Sequence, residues 1–214
     1  RLSCSVRRPS MMAANTPAGI RFVVATFNRH KAAELHALLA LPGVSLLPLA
    51  DWPGAISPEE NGDTLLANAR IKARAAVALT SLPAIADDTG LEVDALAGAP
   101  GVHAARYAGP GATYADNVAK LLRELAGVPA PRRTARFRTV CVAAWPDGRE
   151  ECAEGALEGV ITASARGTNG FGYDPVFAPL DSTRTYAELT DAEKQRVSHR
   201  ARAVRALGER LAEH

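Results

Sequence analysis

An apolar run, Pro83-Ala84-Ile85-Ala86, meets two adjacent carboxylates and a hydroxyl, Asp87-Asp88-Thr89, ahead of Gly90-Leu91-Glu92-Val93-Asp94. The run reads as a buried strand that ends on the acidic pair. Side chains alternate across a strand, so at most one aspartate shares the apolar face. The other must face water, a partner or a cation. Two ionised carboxylates side by side repel, and burying either is costly without a positive charge. A hard divalent ion with oxygen ligands, Mg2+ above all, resolves both problems. Taken alone, however, Asp-Asp-Thr-Gly reads as readily as a solvated turn. The rest of the chain decides.

Periodicity places the pair within an α/β framework. Ile20–Thr26 reads as a strand, and Asn28-Arg29-His30-Lys31 leads into a helix with Leu35, Leu38 and Leu39 on one stripe. Val44–Leu49 is a second apolar run, and residues 51–62 are loop. Asp63 or Thr64 caps a helix carrying Leu66, Ala69, Ala73 and Val77 along one side. After the acidic turn a strand over 91–96 is expected, then a helix opened by Thr113 and Asp116. Next comes a hairpin of 136–145 with 149–157, turned by Pro146-Asp147-Gly148, with Val160-Ile161 continuing the sheet. Thr190 and Glu193 form a capping box. On one straight helix Lys194, His199 and Arg200 would diverge, each residue advancing about 100°. A break near Arg196, with Ser198 capping a new helix striped by Ala201, Val204, Leu207 and Leu211, removes the conflict. The predicted fold is therefore α/β, a mixed sheet with flanking helices.

Length, charge and cysteine usage narrow the class. A chain of 214 residues supports one sizeable core, and the predicted division is a disordered leader or extension over 1–18 and a single domain over 19–214. The net charge of +2 is too balanced for stable nucleic-acid binding, so an anionic ligand must meet local Lys and Arg clusters. No apolar stretch approaches a membrane span. Cys4, Cys141 and Cys152 form neither a disulfide framework nor a zinc motif, which fits a reducing, cytoplasmic setting.

Two further segments carry chemistry. A polar loop with Lys31 at a helix start is a phosphate-binding arrangement, though not a Walker loop. Glu59-Glu60 supply a second acidic pair, while Lys72 by itself reads as an ordinary exposed helical lysine. Gly167-Thr168-Asn169-Gly170-Phe171-Gly172-Tyr173-Asp174 is a turn-rich loop able to approach a ligand closely. There Phe171 can stack on a flat ring and Asp174 can accept its hydrogen bonds. The opposing reading puts Phe171 in the core and Asp174 on a turn cap.

Five ordered blocks resemble the inosine triphosphate pyrophosphatase family. They are A-T-F-N-R-H-K, E-E-N-G-D-T-L-L-A-N-A-R-I-K-A, A-D-D-T-G-L-E-V-D through A-A-R-Y, G-F-G-Y-D-P-V-F, and A-E-L-T-D-A-E-K-Q-R-V-S-H-R, spanning roughly residues 20 to 212. The resemblance implies a bilobed fold with the substrate cleft between lobes, and a homodimer. It also implies Mg2+-dependent cleavage of ITP, dITP and XTP into the monophosphate and pyrophosphate. By motif position Asp88 is the general base and a metal ligand, with Glu59 the second ligand. Thr26, Phe27, Asn28, Arg29, His30, Lys31, Lys72, Thr89, Lys194 and Arg200 correspond to the triphosphate-contacting set. Phe171, Gly172, Tyr173 and Asp174, with His199 and Arg200, correspond to the base pocket. Phe27 replaces the glycine usual in the first loop, and Ala67 replaces the usual glutamate of E-N-A.

Two other functions compete with this one. A pyrophosphatase for modified pyrimidine or methylated nucleotides shares the fold, but the G-F-G-Y-D and S-H-R blocks oppose it. A catalytically silent nucleotide sensor is opposed by Asp88, Glu59 and Lys194.

Overall fold

The computed structural model describes residues 20–39 and 43–213; the expected leader over 1–18 lies outside them. One seven-stranded mixed sheet organises the chain. Strands β1 (Ile20–Val24), β2 (Val44–Pro48) and β3 (Ala84–Val93) run parallel in the order β2-β1-β3. From β3 the sheet continues antiparallel through β5 (Thr134–Ala144), β6 (Glu150–Ile161) and β7 (Phe177–Pro179), and the short β4 (Pro100–Gly101) also pairs with β3. Among the described residues five α-helices flank it: α1 (Arg29–Leu38), α2 (Leu65–Thr80), α3 (Tyr114–Glu124), α4 (Asp191–Val197) and α5 (His199–Ala212). None of the described helices is long and apolar enough to cross a membrane.

The expected acidic turn is absent. β3 passes straight through Asp87-Asp88-Thr89, its ten residues in unbroken register with β5 from Ala84 opposite Ala144 to Val93 opposite Ala135. Both aspartates are buried, and alternation across the strand sends each of them to a cation rather than to water. Cations arrive on both faces: Lys72 from α2 meets Asp88, while Lys31 from α1 and Arg200 from α5 meet Asp87. Paired charges offset much of the desolvation penalty that would otherwise end the strand. β6 is likewise one strand where two pieces were expected.

Helix α2 buries Leu65, Asn68, Ala69, Lys72, Ala73 and Ala76. This face is rotated from the expected stripe, because Asn68 and Lys72 turn inward and leave Leu66 and Val77 only partly covered. The break between α4 and α5 falls where the caps place it. Thr190 and Glu193 cap one helix reciprocally, and Ser198, extended at ψ 149°, accepts the amide of Ala201 to start the next.

Three cores surround the long strands. At one end Val23, Ala86, Val142 and Ala69 pack under α2, while Val24, Ile85, Cys141 and Val204 pack on the opposite face under α1 and α5. At the far end Leu91, Phe137, Leu121, Phe177 and Tyr186 form the third. Asp88 and Thr89 lie at the junction, which is where the cleft opens. Helix α5 reaches that junction by lying directly on β6, since a Cβ at Gly155 would stand 2.2 Å from the His199 carbonyl oxygen. His199 and Arg200 are thereby brought into the interior.

Candidate active site

A cavity of about 460 Å3 occupies the junction. That size suits a small-molecule ligand. Its walls include Thr26, Phe27, Asn28 and Lys31 after β1, Glu60 before α2, Lys72, Asp88 and Thr89. Phe171 to Asp174, Lys194, His199 and Arg200 also line it, joined by Arg106 and Tyr114. The cavity thus brings together residues drawn from almost the whole described chain.

The floor is a charge lattice. Lys72 Nζ donates to Asp88 Oδ1 at 2.8 Å and to Glu60 Oε2 at 3.0 Å. On the other face of β3, Asp87 Oδ2 accepts Arg200 Nε at 3.1 Å, with Lys31 Nζ at 3.3 Å. The two neighbouring carboxyls are pushed apart. Burial raises both, but at Asp87 the flanking Lys31, Arg200 and Lys72 win and hold the group well below the usual carboxylate range. At Asp88 burial outweighs Lys72 and Lys31, and Glu60 adds to it, so that carboxyl titrates above its ordinary value. Adjacent carboxylates with separated pKa values are how acid–base roles are divided. Lys72 itself is buried but held charged, because Asp88, Asp87 and Glu60 outweigh its desolvation.

Deeper in, Lys194 Nζ donates to Asp174 Oδ2 at 2.8 Å and to Glu34 Oε1 at 3.0 Å. Glu34 also takes Arg200 Nη1, and Arg200 Nη2 donates to Thr89 Oγ1 at 3.0 Å. Arg200 is thus fully enclosed, holding the lattice together rather than facing the cavity as a free cation. Asp174 accepts the Phe171 amide at 2.9 Å, and a Cβ at Gly170 would stand 2.0 Å from its Oδ2, so only glycine fits. Phe171 stays half-buried, with Lys194 Nζ 4.9 Å and Arg200 Cζ 5.7 Å from its ring centre. His199 is buried beside two aromatic rings, 4.6 Å from Phe137 and 6.1 Å from Tyr186, with no hydrogen-bond partner at Nδ1. Burial, then Arg200 and Lys194, push its pKa well down, so the ring is neutral.

Three expected members sit elsewhere. Glu59 is exposed and outside the cavity, whereas Glu60 bonds Lys72; the second carboxylate beside Asp88 is Glu60. The loop has no periodicity to say which of two adjacent glutamates turns inward. Arg29 is exposed at the first turn of α1 and lies off the cavity wall. His30 also lies off it: its imidazole stacks on Phe171, 5.2 Å between ring centres and 19° between planes, bordering a second cavity behind that ring. Asn28 spends its carbonyl oxygen capping α1 through the His30 and Lys31 amides, and its amide nitrogen donates to Tyr114 Oη at 3.0 Å. Glu34, Arg106 and Tyr114 were missed. For Glu34 a signal existed, since it follows Lys31 by three residues and shares its helix face.

The chain is similar to known proteins over most of its length. The Ham1 family profile matches residues 22–210. A dITP/XTP pyrophosphatase of Thioalkalivibrio sulfidiphilus is 50% identical over 194 residues, covering 90% of this chain and 98% of that protein. The dITP/XTP pyrophosphatase of Geobacillus kaustophilus is 48% identical over 191 residues, covering 89% and 94%. Among solved structures, a Ham1 protein of Coxiella burnetii superposes with a TM-score of 0.83 at 39% identity, covering 91% of this chain and all of that one. A nucleoside-triphosphatase, dITP/XTP pyrophosphatase, of Mycobacterium abscessus gives a TM-score of 0.72 at 45% identity, covering 88% and 98%.

Proposed function

The chain belongs to the Ham1 family, and from that premise we propose that it cleaves ITP, dITP and XTP between the α- and β-phosphates. The products are the monophosphate and pyrophosphate, and the effect is to clear deaminated purines from the nucleotide pool. Its relatives are dITP/XTP pyrophosphatases at about half identity over nearly their full length. The observation that carries the reading is the division between Asp87, locked as an anion in ion pairs, and Asp88, raised in pKa at the cavity floor beside Lys72 and Glu60.

Asp88 and Glu60 are the residues that would hold a divalent ion. Among the described residues no group of three His, Cys, Asp or Glu forms an all-protein cage. Mg2+ does not need one, as it commonly takes one or two carboxylates and completes its shell with water and substrate phosphates. Two carboxylates joined through a single cation, Lys72, fit that pattern. Bound there, Mg2+ would polarise phosphoryl oxygens and neutralise their charge.

The chain's own groups supply the rest. Asp88, as the carboxylate, takes the proton of the attacking water. Lys31 and Lys72 place positive charge beside the phosphates. Phe171 offers its ring to the base, with Gly172 to Asp174 and the neutral His199 around the purine edge. Donors set for a 6-oxo group are left unpaired against the 6-amino group of adenine, a mismatch that can be worth orders of magnitude. The same proposal includes a single domain over 19–214 acting as a homodimer in the cytoplasm.

Pyrophosphate release from dITP after dialysis against chelator tests the assignment. Activity should vanish, return with Mg2+, and fall about 10²–10⁴-fold in Asp88→Asn, the usual weight of a general base. Full activity without metal, or an Asp88→Asn enzyme within tenfold of wild type, would contradict it.

A further inference from the structure

Four cations on the cavity wall are already committed. Lys31 pairs with Asp87, Lys72 with Asp88 and Glu60, Lys194 with Asp174 and Glu34, and Arg200 with Asp87 and Glu34. Five carboxylates face these four positive charges, so these side chains by themselves carry no net positive charge. Among the described residues lining the cavity, Arg106 is the cation with no carboxylate partner. Its one hydrogen bond in the site runs from Nη2 to the main-chain oxygen of Glu60, at 3.1 Å, across the mouth of the cleft.

The backbone beneath Arg106 is fixed. Asn117, buried on α3, donates to the Ala105 carbonyl at 3.1 Å and accepts the Ala108 amide at 2.7 Å. Lys120 holds the Tyr107 carbonyl at 2.8 Å. An exposed guanidinium on a rigid turn thus reaches the main chain of Glu60, the residue whose side chain is the proposed metal carboxylate. A guanidinium has five N–H donors in a planar fork matched to phosphate oxygens, and only one of these is used here.

We propose that Arg106 is a substrate-contacting residue that closes over the cleft mouth and grips the outer phosphates, the part that leaves as pyrophosphate. This rests on the pyrophosphatase reading above and names the residue that holds the leaving group. Its charge has no carboxylate partner, so it adds attraction beyond that of the four paired cations.

The test uses product inhibition in the full-length enzyme with Mg2+. Arg106→Gln keeps an N–H for the Glu60 carbonyl and removes the charge; Arg106→Lys keeps charge without the fork. In Arg106→Gln and Arg106→Ala the inhibition constant for inorganic pyrophosphate should weaken about 10- to 100-fold, as for a lost charge-assisted contact, with inhibition by IMP unchanged. Arg106→Lys should recover only part of the loss. Pyrophosphate inhibition unchanged in Arg106→Gln would reduce Arg106 to a strap and overturn the proposal. Equal weakening of pyrophosphate and IMP would overturn it too, as a general loss of structure. If wild type instead made no IMP and pyrophosphate from ITP, the underlying function would be wrong, a distinct failure.

Discussion

The ammonium nitrogen of Lys72 stands 2.8 Å from Oδ1 of Asp88, both side chains nearly enclosed. Lysine lowers the aspartate's pKa against the burial that raises it, and burial prevails. The proposed base works as the carboxylate, so kcat/KM should fall as acid protonates it. Lys72→Met removes the opposing charge and should move that acid limb to higher pH, as well as lowering the plateau. A pH–rate profile of the two enzymes decides; an unmoved or acid-shifted limb in Lys72→Met would mean that Asp88 does not set it.

Glu60 and Glu59 are adjacent, yet only Glu60 reaches Lys72. In Glu60→Gln the Mg2+ concentration for half-maximal activity should rise at least about tenfold, comparable to or beyond the effect of losing a supporting contact at a metal. Glu59→Gln should stay within about twofold of wild type. The reverse order in a Mg2+ titration would return the ligand to Glu59.

Phe171 should act on the base and not on the phosphates. Base–aromatic stacking is worth about 1–3 kcal/mol, so Phe171→Ala should lower kcat/KM for ITP roughly 10- to 100-fold and leave inhibition by inorganic tripolyphosphate intact. His30 backs the same ring at 5.2 Å. An aromatic pair contributes about 0.5–1.5 kcal/mol, so His30→Ala should give a smaller loss of the same kind, restored by His30→Phe. Weakened tripolyphosphate inhibition in His30→Ala would put the imidazole back among the phosphate contacts.

His199 links the site to stability. The folded protein keeps this ring neutral, whereas the unfolded chain takes a proton below its ordinary value of 6.5. A depressed histidine therefore costs stability as pH falls below 6.5, by at most about 1.4 kcal/mol per pH unit from this one group. His199→Phe keeps the stacking on Phe137 and Tyr186 without the proton. Urea unfolding at several pH values between 6.5 and 5 should show a shallower loss on acidification in the variant than in wild type. Parallel curves would mean that His199 is protonated in the folded protein.

Local signals in the chain were sufficient for much of this. The caps at Thr64, Thr113, Thr190 and Ser198 lie within three residues of the amides they hold, and the separate helix starting at Ser198 follows from them. What misled was charge compensated from afar. Asp87-Asp88 reads as a strand end because the neutralising Lys72 lies 16 residues before Asp88 and Arg200 lies 113 residues after Asp87. The buried face of α2 was displaced for the same reason: Asn68 and Lys72 are polar but serve Asp88, so apolar spacing alone points to Leu66 and Val77. Arg106 could not be found from its neighbours, since what distinguishes it is the absence of a carboxylate that only the folded cleft reveals.

Equimolar ITP and ATP in one reaction with the purified protein and Mg2+, with all products separated over time, tests the central claim most directly. IMP and pyrophosphate should appear in equal amounts while ATP persists, its loss slower by orders of magnitude. IDP with orthophosphate, or AMP formed as fast as IMP, would contradict it.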